Sequence, residues 1–415
     1  MMSSMGPDEI AQLVALVVED SAVQRNQLVS LVRDLKIGTV LEADDGLEAL
    51  RLLKQQAQRR IFLVITDVDM PGMDGIELIG HLAEGNQVEN LIVTSACDPR
   101  LLETVESMGA GDERLHLLGT LPKPVTAAGL ARLLNDARSR TGTSGRPPFE
   151  PDHDDICRGL SASEFIPFFQ PKVSFATGLV TGVEALARWR HPEHGLLGPQ
   201  AFIPLMEGTP LMGRFTLSIV EQGLRQLNAW TEVLPLLTLS LNLAADDLAD
   251  QRFVDQLTEL VARHGAKPAS VTWEVTETML MNGRSMANLA RLGLKGFGLS
   301  MDDYGIGYSS MQTLSRSPFT ELKIDRAFVT GASERSNRRA ILMGSLDIGR
   351  RLGVCTVAEG VETTEDWRLL AELGCEMAQG YLIAKPMPAA ELLSWIPTHR
   401  ARLRALAAPI HGSVA

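Results

Sequence analysis

Cysteine is scarce in this chain, with four in 415 residues: Cys97, Cys157, Cys355 and Cys375. They are scattered and form no C-x-x-C pair, so neither a disulfide framework nor a zinc site is indicated, and structural burial is their reading. Long apolar runs are missing as well. Nothing approaches the roughly 18 residues of a membrane span, and no basic segment leads into an apolar one at the N-terminus. A soluble, cytoplasmic protein with no membrane attachment is therefore expected. Basic charge is in deficit: 39 Lys and Arg stand against 51 Asp and Glu, for a formal net charge of −12. General nucleic-acid binding needs a basic footprint, so no direct DNA binding is expected, and an anionic substrate must be met by metal ions or local arginines. Short-period repeats are absent too, which argues against a solenoid.

What is present suits two globular domains, with 45% hydrophobic residues to fill two cores. From Arg140 the composition changes to R-T-G-T-S-G-R-P-P-F-E-P-D-H-D-D, rich in Gly, Pro, Ser and charge and without a periodic apolar face. Such a stretch is a linker signature. The expected division is a first domain at 12–138, a linker at 139–159, a second domain at 160–397 and a tail at 398–415. On both sides of the linker, short β-branched runs such as Val14 to Val18 and Ile61 to Ile65 alternate with helical patterns such as Gly46 to Leu53. That is the βαβ rhythm of a parallel sheet.

In the first domain, L-V-A-L-V-V-E-D-S ends in Glu19 and Asp20, and I-F-L-V-I-T-D ends at Asp67. Ligands of open parallel sheets sit beyond the carboxyl ends of the strands, where three carboxylates suit Mg²⁺. A third strand ends in Thr94 and Ser95, and Lys123 follows a fourth in L-P-K-P. Acids, hydroxyl and lysine together can hold a metal and a phosphoryl group. In this order they resemble the receiver domain of two-component response regulators, a doubly wound parallel sheet. The resemblance implies that Asp67 accepts the phosphoryl group, that Glu19 and Asp20 hold one Mg²⁺, that Lys123 pairs with phosphoryl oxygens and that Ser95, directly before Ala96 and preferred for that reason over Thr94 one position away, reads the modification. It also implies a sensor histidine kinase or phosphotransfer protein upstream. Thr120 stands where the family often has an aromatic switch residue, three before the lysine, which puts the usual aromatic rotation in doubt.

In the second domain, polar residues recur at the ends of apolar runs: Glu184, Asn242, Glu274, Asp302 and Asp303, Lys323, Glu359 and Gln379. Seven or eight strand–helix pairs fit the available length, the size of a (β/α)₈ TIM-like barrel whose site lies at the carboxyl ends of its strands. Carboxylates with one amide oxygen, and no histidine or cysteine, favour Mg²⁺ or Mn²⁺ over zinc. With a lysine nearby, the chemistry indicated is phosphoester cleavage assisted by one or two metals. Arg188, four residues past Glu184, can clamp a phosphate oxygen or make a surface ion pair. Adjacent strand residues face opposite ways, so Asp302 and Asp303 share a site only if the backbone turns after Asp302. By the same parity Glu277, three past Glu274, is not a direct ligand.

Glu184-Ala185-Leu186 with Arg188, Glu274-x-x-Glu277, D-D-Y-G-I-G-Y-S-S, L-K-I-D, A-E-G-V-E and Q-G-Y-L-x-x-K-P together resemble the EAL domain of cyclic di-GMP phosphodiesterases, over about residues 160 to 397. The resemblance implies one metal on Glu184, Asn242, Glu274 and Asp302, and a second sharing Asp302 and adding Asp303 and Glu359. It implies that Lys323 or Glu359 is the general base, that Gln170, Arg188 and Gln379 contact the substrate, and that Glu277 anchors the loop from Tyr304 to Ser310. Tyr304 and Ile306 replace the phenylalanine and threonine common there. The product implied is linear pGpG. A receiver ahead of an EAL domain also resembles regulators that work as homodimers or homotetramers. The alternative is a receptor that binds the dinucleotide without cutting it and signals through a partner protein, which missing ligands would favour; none is missing. A barrel enzyme for another phosphoester is the third reading.

Overall fold

The computed structural model describes residues 13–407 apart from 36, 57–59, 86, 96–114, 141–148, 150, 277–278, 280–282, 306–313 and 315–316. The chain divides into two compact units, 1–146 and 147–415.

The first unit runs β1 (Val14–Val18), α1 (Ala22–Asp34), β2 (Thr39–Ala43), α2 (Gly46–Gln55), β3 (Ile61–Asp67), α3 (Gly75–Glu84), β4 (Val88–Ser95), β5 (His116–Pro122) and α4 (Ala127–Arg140). The five strands are parallel in the order β2-β1-β3-β4-β5. All of β1 and β3 is buried, as a sheet covered on both faces requires. Strand parity shares the residues between two cores. Leu16, Val18 and Val64 join one cluster, and Ala15, Val17, Leu63 and Ile65 join the other. Asp45 and Asp74 cap α2 and α3 by accepting from the backbone N–H of Glu48 and Glu77. The strand order reverses between β1 and β3, which opens the crevice into which Glu19 and Asp67 project.

The second unit begins with α5 (His153–Ser161), then β6 (Phe165–Ser174), β7 (Val180–His191), β8 (Gly195–Leu197), α6 (Pro210–Thr231), β9 (Thr238–Asn242), α7 (Gln251–Arg263), β10 (Val271–Thr276), α8 (Gly283–Leu294) and β11 (Gly298–Tyr304). It continues with β12 (Glu321–Ile324), α9 (Ser336–Leu352), β13 (Cys355–Ala358), α10 (Thr364–Leu373), β14 (Met377–Ala378) and α11 (Ala389–Ala407). α5 occupies the segment read as linker. Its reciprocal capping box between Asp152 and Asp155 starts a turn on which Ile156 is buried. α11 likewise carries helix into the expected tail.

Strands β6-β14-β13-β12-β11-β10-β9-β7 form a ring closed by the pairing of β6 with β7. The eight-stranded barrel expected from the strand rhythm is present, with one difference. β6 runs antiparallel to both neighbours, because the connection from Ser174 to Val180 is a hairpin turn too short to cross over. The apolar core lies outside the ring, where Leu241, Trp273, Leu299, Leu322 and Ala358 meet the helices. Residues of the opposite parity point inward, and many are polar: Lys172, Glu184, Ser240, Glu274, Ser300 and Lys323 are all buried.

Candidate active site

Lys323, in β12, sits at the centre of the barrel's polar interior with 1% of its side chain exposed. Its Nζ lies 2.7 Å from Glu274 Oε2, 2.7 Å from Glu359 Oε1, 3.0 Å from Asp302 Oδ1 and 3.4 Å from Glu184 Oε2. Four strands thus direct a carboxylate at one ammonium. Burial alone would lower the pKa of that lysine, but the surrounding acids outweigh it and raise the value well above ordinary.

The acids differ in their balance. Burial pushes Glu184 up to about 7, assisted by Glu274 and opposed by Lys323. Burial likewise raises Glu359 to about 8, with Lys323 pulling the other way. Glu274 would also rise by burial, yet two ammonium groups, Lys172 and Lys323, hold it at about 2. A cluster in which acids outnumber the cation and two carboxyls are driven towards neutrality lacks positive charge. Its donor set suits a divalent cation. Asp302, Asp303 and Glu359 each offer an oxygen, all within 4.8 Å of one another.

The backbone explains how two adjacent aspartates share this place. The pairing of β11 with β12 shifts register between Met301 and Tyr304, and Asp303 takes a left-handed φ of 54°. This bulge turns Asp303 back to the side that Asp302 occupies.

Around the carboxylates lies an amide network. Gln379 donates from Nε2 to Glu184 Oε2 at 2.7 Å and to Gln170 Oε1 at 2.9 Å, while its own buried Oε1 has no partner. Gln170 donates to the Ala384 carbonyl at 3.0 Å. Asn242, exposed at the end of β9, donates to Glu184 Oε1 at 3.0 Å. Arg188 shares strand parity with Glu184, lies 5.9 Å from the Phe168 ring centroid and donates to the Ala187 carbonyl. Burial lowers its pKa.

In the first unit, Lys123 Nζ bridges Glu19 Oε2 at 2.8 Å and Asp67 Oδ2 at 2.6 Å. Burial raises the pKa of Glu19 against the pull of Lys123. Glu19, Asp20 and Asp67 form a second group with oxygens within 4.8 Å. Thr94 Oγ1 donates to the Thr66 carbonyl at 3.3 Å, and Ser95 is buried at the strand end.

A response regulator receiver domain matches residues 15–134, and an EAL domain matches residues 153–386, more than half of the chain. The chain belongs to the EAL domain family. Its first unit is a receiver domain. The cyclic di-GMP phosphodiesterase RocR of Pseudomonas aeruginosa is 34% identical over 392 residues, which are 92% of this chain and 98% of RocR. Among solved structures, the PaMucR phosphodiesterase in complex with c-di-GMP is 38% identical with a TM-score of 0.56, over 58% of this chain and 98% of that one. The EAL enzyme Bd1971 in its cAMP- and cyclic-di-GMP-bound form is 27% identical with a TM-score of 0.56, over 66% of this chain and 77% of that one.

Of the residues the sequence singled out in the EAL domain, Gln170, Glu184, Asn242, Glu274, Asp302, Lys323, Glu359 and Gln379 are linked by direct contacts. Asp303 adjoins them. Glu277 and the loop segment 306–310 lie outside the described residues. Sequence reasoning missed Lys172, whose Nζ contacts Glu274 Oε1 at 3.0 Å, and Glu321 behind it at 2.7 Å. The signal was available: Lys172 is two residues past Gln170 and Glu321 two before Lys323, so each shares its neighbour's face. No helix of the described residues is long and apolar enough to cross a membrane.

Proposed function

We propose that this protein is a metal-dependent phosphodiesterase that hydrolyses cyclic di-GMP to linear pGpG and is regulated by phosphorylation at Asp67. The observation that carries the reading is the convergence of Glu184, Glu274, Asp302 and Glu359 on Lys323, in a chain that aligns with RocR over nearly its whole length.

One divalent cation, Mg²⁺ or Mn²⁺, is assigned to Glu184, Asn242, Glu274 and Asp302, and a second to Asp302, Asp303 and Glu359. When bound, such ions neutralise a phosphodiester and lower the pKa of water. The chain's own groups do the rest. Lys323, whose Nζ lies against Glu359 at 2.7 Å, and Glu359 are the two groups placed to orient the attacking water and take its proton. Arg188 and the Gln170–Gln379 pair bind the substrate's polar edges. In the receiver, Glu19, Asp20 and Asp67 hold one Mg²⁺ beside the phosphoacceptor, and Lys123 moves its pairing to the phosphoryl oxygens. A histidine kinase or phosphotransfer protein supplies the phosphoryl group, and a homodimer or homotetramer is the working form.

The test is incubation of purified protein with cyclic di-GMP and Mg²⁺ or Mn²⁺, beside Glu184→Ala, with chromatography for pGpG. The unmodified protein forms pGpG and the variant does not. Retention of the cyclic dinucleotide without product would instead make the protein a receptor.

A further inference from the structure

We propose that Lys172 is a positioning residue for Glu274, fixing one carboxylate oxygen so that the other is presented to the metal site; the inference rests on the metal-dependent reading above. Lys172 lies in β6, the antiparallel strand, and 2% of its side chain is exposed. An ammonium has three N–H donors, and three partners receive them: Ser240 Oγ at 2.7 Å, Glu274 Oε1 at 3.0 Å and Glu321 Oε1 at 2.7 Å. These partners belong to β9, β10 and β12, so three strands across the barrel from β6 hold the cation. Glu321 is itself held, accepting from Ser300 Oγ at 2.9 Å.

The consequence falls on Glu274, which is 0% exposed. Its Oε1 is tied to Lys172 and its Oε2 faces Lys323 at 2.7 Å. With Lys172 on Oε1 and Lys323 on Oε2, rotation of the carboxylate is restrained, and the remaining lone pairs of Oε2 are aimed at the cluster. Outer groups that orient a metal's ligands in this manner are worth about 10- to 100-fold in metal affinity. A filler role accounts for Lys172 poorly. An apolar side chain of similar length would occupy the barrel without the desolvation cost of a buried ion cluster.

The test titrates Mn²⁺ alone into the full chain, in an Asp20→Asn/Asp67→Asn background that disables the receiver's acidic cluster. Three proteins are compared: the background, Lys172→Met, and Lys172→Met/Glu321→Gln, in which the stranded partner acid is also neutralised. Removing a positive charge beside a cation site would, by electrostatics alone, tighten Mn²⁺ binding. Loss of positioning weakens it, so the two accounts differ in sign. The expected result is affinity lower by about 10- to 100-fold in both variants, with the thermal midpoint recovered in the double variant and the affinity not. Unchanged or tighter binding in either folded variant overturns the proposal. So does a double variant that regains affinity along with stability. If the background protein itself binds no Mn²⁺, the metal-dependent reading fails and takes the inference with it.

Discussion

Glu184, Glu274 and Glu359 are the same residue type on one cluster, yet their proton affinities separate according to what faces them. Glu274 has two ammonium groups and is held at about 2. Glu184 and Glu359 share Lys323 with two further acids and rise to about 7 and about 8. The sign of the pH dependence follows. Without metal, the folded state keeps protons on Glu184 and Glu359 that the unfolded chain has released above its ordinary carboxylate pKa. Stability of the metal-free EAL domain therefore falls as pH rises through the interval from about 4.5 to about 8. Metal ions compete with those same protons, so apparent Mn²⁺ affinity rises with pH and levels off above about 8. Thermal midpoints with EDTA and with Mn²⁺, measured across this range, should slope in opposite directions; parallel slopes would mean that these carboxylates are not where the metal binds. The acids were legible in the sequence because each interrupts or ends an apolar run. Lys172 was passed over because it ends no apolar run, although its spacing of two from Gln170 puts it on the same face of β6.

The elements add constraints that residue types alone do not express. The barrel and its order of polar strand ends follow from the alternation of apolar runs and helical patterns. The reversed direction of β6 could have been read from the hairpin segment F-A-T-G-L, with Gly178 at a φ of 64°. The bulge in β11 was anticipated only as a requirement, since parity said that a turn was needed but not how it would be made. Gly380 shows a similar constraint. A Cβ there would collide with the backbone N and O of Val361, whose N–H donates to the Gln379 carbonyl at 3.1 Å. Only glycine lets β14 end close enough to seat the Gln379 amide against Glu184. Gly380→Ala is predicted to lower kcat/KM by at least about tenfold, a loss of roughly 1.4 kcal/mol in transition-state stabilisation. Steady-state kinetics check this, and a variant with unaltered kcat/KM would remove Gln379's placement from the account.

At the scale of the whole molecule, a receiver domain and an EAL domain share one chain, and RocR aligns with both. Regulation is predicted to run from Asp67 to the barrel. Beryllofluoride should change turnover of the unmodified protein and leave Asp67→Asn unaffected, since the variant lacks the oxygen on which the phosphoryl mimic forms. Equal turnover of the unmodified protein with and without the mimic would uncouple the two domains. The identities of both domains were legible because each is defined by acids and a lysine at strand ends, which local sequence records.

The proposal that joins the structure to activity is that the carboxylates around Lys323 hold the cations that drive hydrolysis. Its most direct test strips the full chain with EDTA, restores Mn²⁺ stepwise and follows pGpG release from cyclic di-GMP, for the unmodified protein and for Asp302→Asn. The expected outcome is no product from the stripped protein, full recovery with Mn²⁺, and recovery in Asp302→Asn that is absent or needs at least about tenfold more metal. Product formation by the stripped protein, or an identical Mn²⁺ dependence for the variant, would contradict it.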